Sequence, residues 1–302
     1  MSGCKLCPKS CGAKREAGQR GYCGESGTVR AARAALHMWE EPCISGTRGS
    51  GTIFFSGCTL RCVYCQNRGI AEGRVGKEIS VDRLADIMLE LQDKGANNIN
   101  LVTPTHFAPQ IAKAIITARG SGLVIPTVYN TSAYETPETI AMLDGLADVY
   151  LPDMKYFSPK RAGKYSNAPD YPEAAKAALA EMVRQTGTAV FSDGNGAVEE
   201  GIMMRGVIVR HLLLPGGLED SKAVIRYLYE TYGDAVYISI MNQYTPMPEI
   251  SAKFPELARK VTDEEYDSLV DYAVSLGIEN GFIQEGETAI ESFIPDFDMR
   301  GI

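Results

Sequence analysis

From about Gly51 onward the chain alternates short β-branched runs with amphipathic stretches, and this alternation restricts the fold more than any other feature. A strand covered on both faces reads as a short apolar run, and the helix returning the chain to the same sheet edge repeats apolar residues every three or four positions. Thr52 to Ser56 reads as a first strand. Val81 to Lys94 reads as a helix with Leu84, Ile87, Met88 and Leu91 on one face and Gly95 just past its end. Strands follow at Asn98 to Val102, Val124 to Tyr129 and Ala147 to Leu151, with a helix from Pro109 to Arg119 and another opened by Thr136 and Pro137 as N-cap and first helical residue. Lys155 to Pro172 reads as a polar connection and a place for substrate to dock. Helix Glu173 to Gln185, strand Gly206 to Leu214, helix Asp220 to Tyr232 and strand Ala235 to Ile240 complete the alternation. A last helix opens on a capping box from Thr262 to Glu265 and stops at Gly277. Six βα-type strands are two short of a closed eightfold barrel. The expectation is therefore an α/β fold with a partial (β/α)6 TIM-like barrel, whose chemistry gathers at the carboxyl ends of the strands.

Length and composition leave that reading open and exclude others. At 302 residues, 45% apolar and 23% charged, the chain has material for a sizeable core. A formal net charge of −8 provides no broad basic field for a phosphate backbone, so nucleic acid is not an expected partner. No stretch approaches the roughly 18 apolar residues of a membrane helix. The start, Met-Ser-Gly-Cys-Lys-Leu-Cys-Pro, lacks the apolar core of a signal peptide. The expected location is cytoplasmic, with no membrane partner.

The eight cysteines are Cys4, Cys7, Cys11, Cys23, Cys43, Cys58, Cys62 and Cys65, and none follows. In a reducing compartment such a set points to metal ligation or catalysis rather than disulfides. Cys58, Cys62 and Cys65 follow the first strand directly, so one loop presents three sulfurs at its carboxyl end. Three sulfurs hold three corners of a cube-shaped iron-sulfur cluster and leave the fourth iron open, as substrate or cofactor coordination requires. The alternative is a structural zinc completed by a distant fourth ligand. Residues 1–50 are rich in Gly, Cys, Arg and Lys and read as a metal- or loop-dominated extension ahead of a 51–302 core. Within it Cys4, Cys7, Cys11 and Cys23 form a four-thiolate candidate for zinc or a second iron-sulfur cluster, while Cys43 reads as a small buried thiol.

Cys58-Thr59-Leu60-Arg61-Cys62-Val63-Tyr64-Cys65 after a first strand is similar to the signature of the radical S-adenosylmethionine (SAM) superfamily. The strings Glu40 to Gly46, Gly49 to Cys58 and Cys65-Gln66-Asn67 resemble, more closely, the pyruvate formate-lyase activating enzymes. So do Asn100 to His106, Tyr150 to Lys155, Arg210 to Gly216 and the tail Gln284 to Pro295. The resemblance implies a 4Fe-4S cluster on Cys58, Cys62 and Cys65, and SAM held at the open iron through its amino and carboxylate groups. It also implies reductive cleavage of SAM to methionine and a 5′-deoxyadenosyl radical that abstracts hydrogen. A glycyl radical enzyme would then be the partner, and a reduced flavodoxin- or ferredoxin-like protein the electron donor. Tyr64 matches the aromatic that lies near the adenine. Thr103-Pro104-Thr105-His106 stands where the superfamily often has Gly-Gly-Glu on the SAM amino group, and Asn130-Thr131-Ser132 where the activating enzymes have Asp-Thr-Asn. Asp153-Met154-Lys155 resembles their Asp-x-Lys, a lysine suited to the SAM carboxylate, and Asn242 falls at another SAM contact.

Two further functional readings stand beside activation: modification of a peptide or small metabolite, and a non-catalytic metal-binding sensor or scaffold. His37 and His211 read as structural. Arg210 reads either as a carboxylate partner or as half of an internal ion pair. Gly46 and Gly51 have phosphate-loop spacing, but Thr52 stands where lysine is required, so nucleotide hydrolysis is not expected.

Overall fold

The computed structural model describes residues 3–284 and 295–302. Its strands are β1 (Val29–His37), β2 (Ser50–Phe55), β3 (Lys77–Ile79), β4 (Ile99–Val102), β5 (Thr127–Thr131), β6 (Val149–Pro152), β7 (Val190–Phe191), β8 (Met203–Leu212), β9 (Tyr237–Met241) and β10 (Gly281–Ile283). The helices are α1 (Pro42–Ser45), α2 (Arg68–Ala71), α3 (Val81–Asp93), α4 (Ala108–Gly120), α5 (Pro137–Ala141), α6 (Pro159–Ser166), α7 (Tyr171–Thr186), α8 (Leu218–Tyr232), α9 (Pro248–Ser251) and α10 (Asp263–Ser275). The sheet runs β10-β9-β8-β6-β5-β4-β2-β1-β3, with β7 paired on β8. From β2 to β10 every neighbouring pair on that path is parallel; β1 is antiparallel to both β2 and β3. The fold is α/β with a mostly parallel central sheet.

Period-two alternation divides each parallel strand between two faces. Ile53, Phe55, Ile99, Leu101, Tyr129, Tyr150, Val207, Val209, Ile238 and Ile240 join one large core with the helices. The opposite residues point inward, and here the sequence is partly polar: Thr52, Asn100, Asn130 and Ser239 are buried. An inner apolar cluster of Val128, Val149, Leu151, Met203 and Ile208 is closed by Cys43 and Ile44 of α1. Cys43 is thus a core thiol. Burial, reinforced by Glu41, pushes its pKa up to about 12.

The six core strands of the sequence reading are all present, shifted by a few residues at their ends. Four strands escape the periodicity. β1 lies in the segment read as loop, and its alternation is hidden because alanines fill four of its nine positions. β3, β7 and β10 are two or three residues long, too short to show a period. The connection Lys155 to Pro172 is not a free loop either. It contains α6, capped by Ser158 accepting from the Arg161 N–H, and α7 begins within it at Tyr171. Among the described residues no helix is long and apolar enough to cross a membrane.

Candidate active site

A cavity of about 270 Å³ opens at the carboxyl ends of the parallel strands. Cys58, Cys62, Cys65 and Tyr64 line it, with Thr103 after β4, Asn130 and Thr131 of β5 and Ser132 just after it, Asp153 and Lys155 after β6, Arg210 of β8 and Gln243 after β9. Residues far apart in sequence meet there because parallel strands bring equivalent ends to one rim.

The cysteine loop is held from both sides. Gly57, with φ +85, takes the turn out of β2 and donates its N–H to the Ile70 carbonyl at 2.8 Å. Arg61, with φ +56, turns the chain a second time, and its guanidinium donates to the Tyr22 carbonyl at 2.6 Å. The Val63 N–H donates to Tyr165 O at 2.8 Å, and the Cys58 N–H to Cys23 O at 3.3 Å. Polar hydrogens also reach the sulfurs: the Leu60 N–H lies 3.4 Å from Cys58 Sγ and the Ser166 hydroxyl 3.0 Å from Cys62 Sγ.

Burial, with Cys58 and Cys62 beside it, pushes the Cys65 thiol up to about 12. Burial raises Cys62 as well, with Lys155 opposing. Burial therefore disfavours the thiolate at Cys62 and Cys65 unless a nearby cation offsets it. Among the described residues no group of three or more His, Cys, Asp or Glu is arranged to hold a metal ion as it stands. Three thiols of one loop lining one cavity, with no fourth cysteine among the described lining residues, fit the ligand set of a four-iron cube with one iron left open.

A buried charge network forms the cavity's other wall. Arg210 donates to Glu40 Oε2 at 3.0 Å, Asp153 Oδ1 at 3.0 Å and Asn130 Oδ1 at 2.6 Å. Glu40 Oε1 accepts from Asn100 at 2.9 Å and Asn130 at 3.2 Å. Lys155 Nζ donates to Asp153 Oδ2 at 2.7 Å. Burial alone would lower the Lys155 pKa, but Asp153 and Cys62 raise it, so the ammonium stays charged beside the sulfurs. Arg210 is thus an internal ion-pair partner. Glu40 is the site residue that sequence reasoning missed; the available signal was a Glu-Glu pair set against Pro42 and an apolar run.

The remaining candidates lie behind the wall. Thr105 and Thr131 both donate to the buried Glu135, whose pKa burial lifts to about 7. His106 is buried and neutral, its pKa driven down to about 3 by burial, and its Nε2 lies 2.6 Å from the Ser56 carbonyl at the root of the cysteine loop. Thr105, His106 and Asn242 are not among the residues lining the cavity. Of Asn242 the backbone N–H is tied to Gln284 Oε1 at 2.8 Å. His211 is structural, bonded to Met154 O and Ser221. Of the tail Gln284 to Pro295, residues 285–294 lie outside the described residues.

The four N-terminal cysteines lie in one region but, among the described residues, make no group of three or more placed to hold a metal ion as they stand. Cys7 and Cys23 are buried. A Cβ placed on Gly21 would sit 3.2 Å from Cys11 Sγ and 3.6 Å from Cys23 Sγ. The Cys4 and Ala13 backbones pair at 3.0 Å. Burial first, then the neighbouring sulfurs, pushes Cys7 up to about 12.

Comparison with known proteins agrees with this geometry. Residues 52–194, which hold the cysteine loop and the strands β2 to β6, match the radical SAM superfamily. Uncharacterized protein MJ0674 of Methanocaldococcus jannaschii is 28% identical over 281 residues, covering 89% of this chain and 74% of its own. Streptococcus suis SuiB bound to S-adenosylmethionine superposes with a TM-score of 0.51 at 14% identity, over 76% of this chain and 48% of that one. A radical SAM methyltransferase from Sphaerobacter thermophilus gives 0.52 at 13% identity, over 80% and 67%. The chain spans about half the length of SuiB, and these likenesses bear on the fold.

Proposed function

We propose that this protein is a radical SAM enzyme in which Cys58, Cys62 and Cys65 hold a site-differentiated 4Fe-4S cluster. The observation that carries the reading is three thiols of one loop lining a single cavity beside Lys155, with no fourth cysteine among the described lining residues. When bound and supplied with one electron, cluster and SAM together cleave a sulfonium carbon-sulfur bond to give methionine and a 5′-deoxyadenosyl radical that removes a hydrogen atom from substrate.

This chain's residues would prepare that chemistry. Lys155, kept charged by Asp153, faces the SAM carboxylate as a compact cation. Thr103 and Asn130 line the cavity as SAM contacts, and Tyr64 flanks the adenine. Thr105 and His106 act from behind: Thr105 bonds the buried Glu135, and His106, as a neutral imidazole, fixes the Ser56 carbonyl from which the cysteine loop departs. Arg210 pairs with both Glu40 and Asp153, and Lys155 supplies the second cation that balances the two carboxylates while facing the cavity. The likeness to pyruvate formate-lyase activating enzymes supports a glycyl radical enzyme as hydrogen source and a reduced flavodoxin- or ferredoxin-like donor. Residues 1–50 would be a cysteine-rich extension to a 51–302 core, with Cys4, Cys7, Cys11 and Cys23 holding zinc or a second iron-sulfur cluster.

The test is turnover of SAM by anaerobically reconstituted protein reduced with dithionite. Chromatography should detect 5′-deoxyadenosine from the parent, none above background from Cys62→Ala, and roughly tenfold less from Lys155→Met at limiting SAM, the scale of one lost charge contact. Equal product from parent and Cys62→Ala refutes the assignment.

A further inference from the structure

Ser166, the last residue of α6, is buried against the cysteine loop. Both ends of this short helix are anchored. Asp220 accepts from the Phe157 and Ser158 N–H groups at 3.2 and 2.7 Å, and the carbonyl of Tyr165 accepts from Val63 N–H at 2.8 Å. Asn167, with φ +49, ends the helix at that point. The hydroxyl of Ser166 is thereby fixed 3.0 Å from Cys62 Sγ and 2.8 Å from Tyr156 Oη, which itself lies 2.7 Å from Tyr64 Oη.

A hydroxyl proton rotates to suit its partners. With Ser166 donating to Cys62 Sγ, the Ser166 oxygen is free to accept from Tyr156 and Tyr156 from Tyr64, so three hydroxyls serve the three contacts leading to the sulfur. A donor on a ligand sulfur stabilises the more negative, reduced form of a cluster.

We propose that Ser166 is a positioning residue that raises the reduction potential of the cluster on Cys58, Cys62 and Cys65 through its bond to Cys62 Sγ, backed by Tyr156 and Tyr64. This inference rests on the radical SAM reading of the same loop. The step it tunes is transfer of one electron to the cluster; in the test that electron comes from dithionite, which is oxidised to sulfite, through redox mediators.

Full-length parent, Ser166→Ala, Ser166→Thr and Tyr156→Phe are reconstituted without oxygen, assayed for iron and sulfide, and poised at stepped potentials without SAM while paramagnetic resonance reads the reduced fraction. Ser166→Ala should show a reduced-to-oxidised ratio about tenfold lower at a fixed poise, about 59 mV for one electron. Tyr156→Phe should move the same way by less, and Ser166→Thr, which keeps the hydroxyl, should stay with the parent. A fully loaded Ser166→Ala at the parent's potential overturns the inference, as does Ser166→Thr shifting as far as Ser166→Ala. Should Ser166→Ala fail to load, Tyr156→Phe decides, and an unchanged potential there overturns it. A parent that takes up no cluster instead refutes the radical SAM reading itself.

Discussion

Glu135 shows how single residues behind the cavity wall carry consequences that the sequence does not advertise. Its carboxyl accepts from Thr105 and Thr131, and its second oxygen is buried with no partner among the described residues. The unpaired oxygen favours the neutral acid, and burial raises the pKa from about 4.5 to about 7. Because the folded protein binds this proton more tightly than the unfolded chain, the stabilisation is complete below about pH 4.5 and lost as pH rises through 7. On the order of 3 kcal/mol is at stake. Thermal melts between pH 5 and 8 should show the parent losing stability that Glu135→Gln retains; parallel pH profiles would exclude this role. Cys58, Cys62 and Cys65, the proposed cluster ligands, stood out in the sequence because of their spacing, and the structure brings all three to one cavity. Glu40 did not stand out, because its role depends on Arg210, 170 positions away, entering the same cavity from β8.

At the scale of elements, the strands that build the site were legible because they are buried on both faces, and the long helices because their apolar stripes repeat. β1 and α6 were not. The alanines of β1 have no amphipathic contrast, and α6 is a two-turn helix whose polar composition reads as loop. These two missed elements brace the cysteine loop, β1 through its ladder with β2 and α6 through Tyr165 and Ser166. The turn between β2 and the loop is equally constrained. A Cβ on Gly57 would lie 2.5 Å from Glu25 Cγ and 2.9 Å from the Cys23 carbonyl, at a φ that L residues avoid. Gly57→Ala should therefore cost about 3 kcal/mol, combining backbone strain with overpacking, and lower iron retention. Gly95→Ala, at φ +87 with open space around it, should cost only about 1 kcal/mol. Equal losses in denaturant melts would show that the extension does not press on Gly57.

Across the whole molecule, the N-terminal thiols and the cysteine loop form one continuous structure. Cys23 O accepts from the Cys58 N–H, Arg61 reaches Tyr22, and Arg15 donates to the carbonyl of His106. Composition placed the four N-terminal cysteines together, but it did not show them docked on the active loop, since that contact depends on β1 returning the chain to the sheet. If they bind a metal, Cys7→Ala should remove one site's content of zinc or iron from the purified protein while the iron bound by the Cys58 loop persists. Identical metal content in both proteins would leave the quartet a thiol-lined fold and no more. The most direct test of the central claim reads the open iron itself. Electron-nuclear double resonance on the reduced, reconstituted protein, with SAM labelled at its amino nitrogen and carboxylate oxygens, should show hyperfine coupling between label and cluster. A reduced cluster that shows no such coupling at saturating SAM would mean that every iron is already claimed, and would contradict the account.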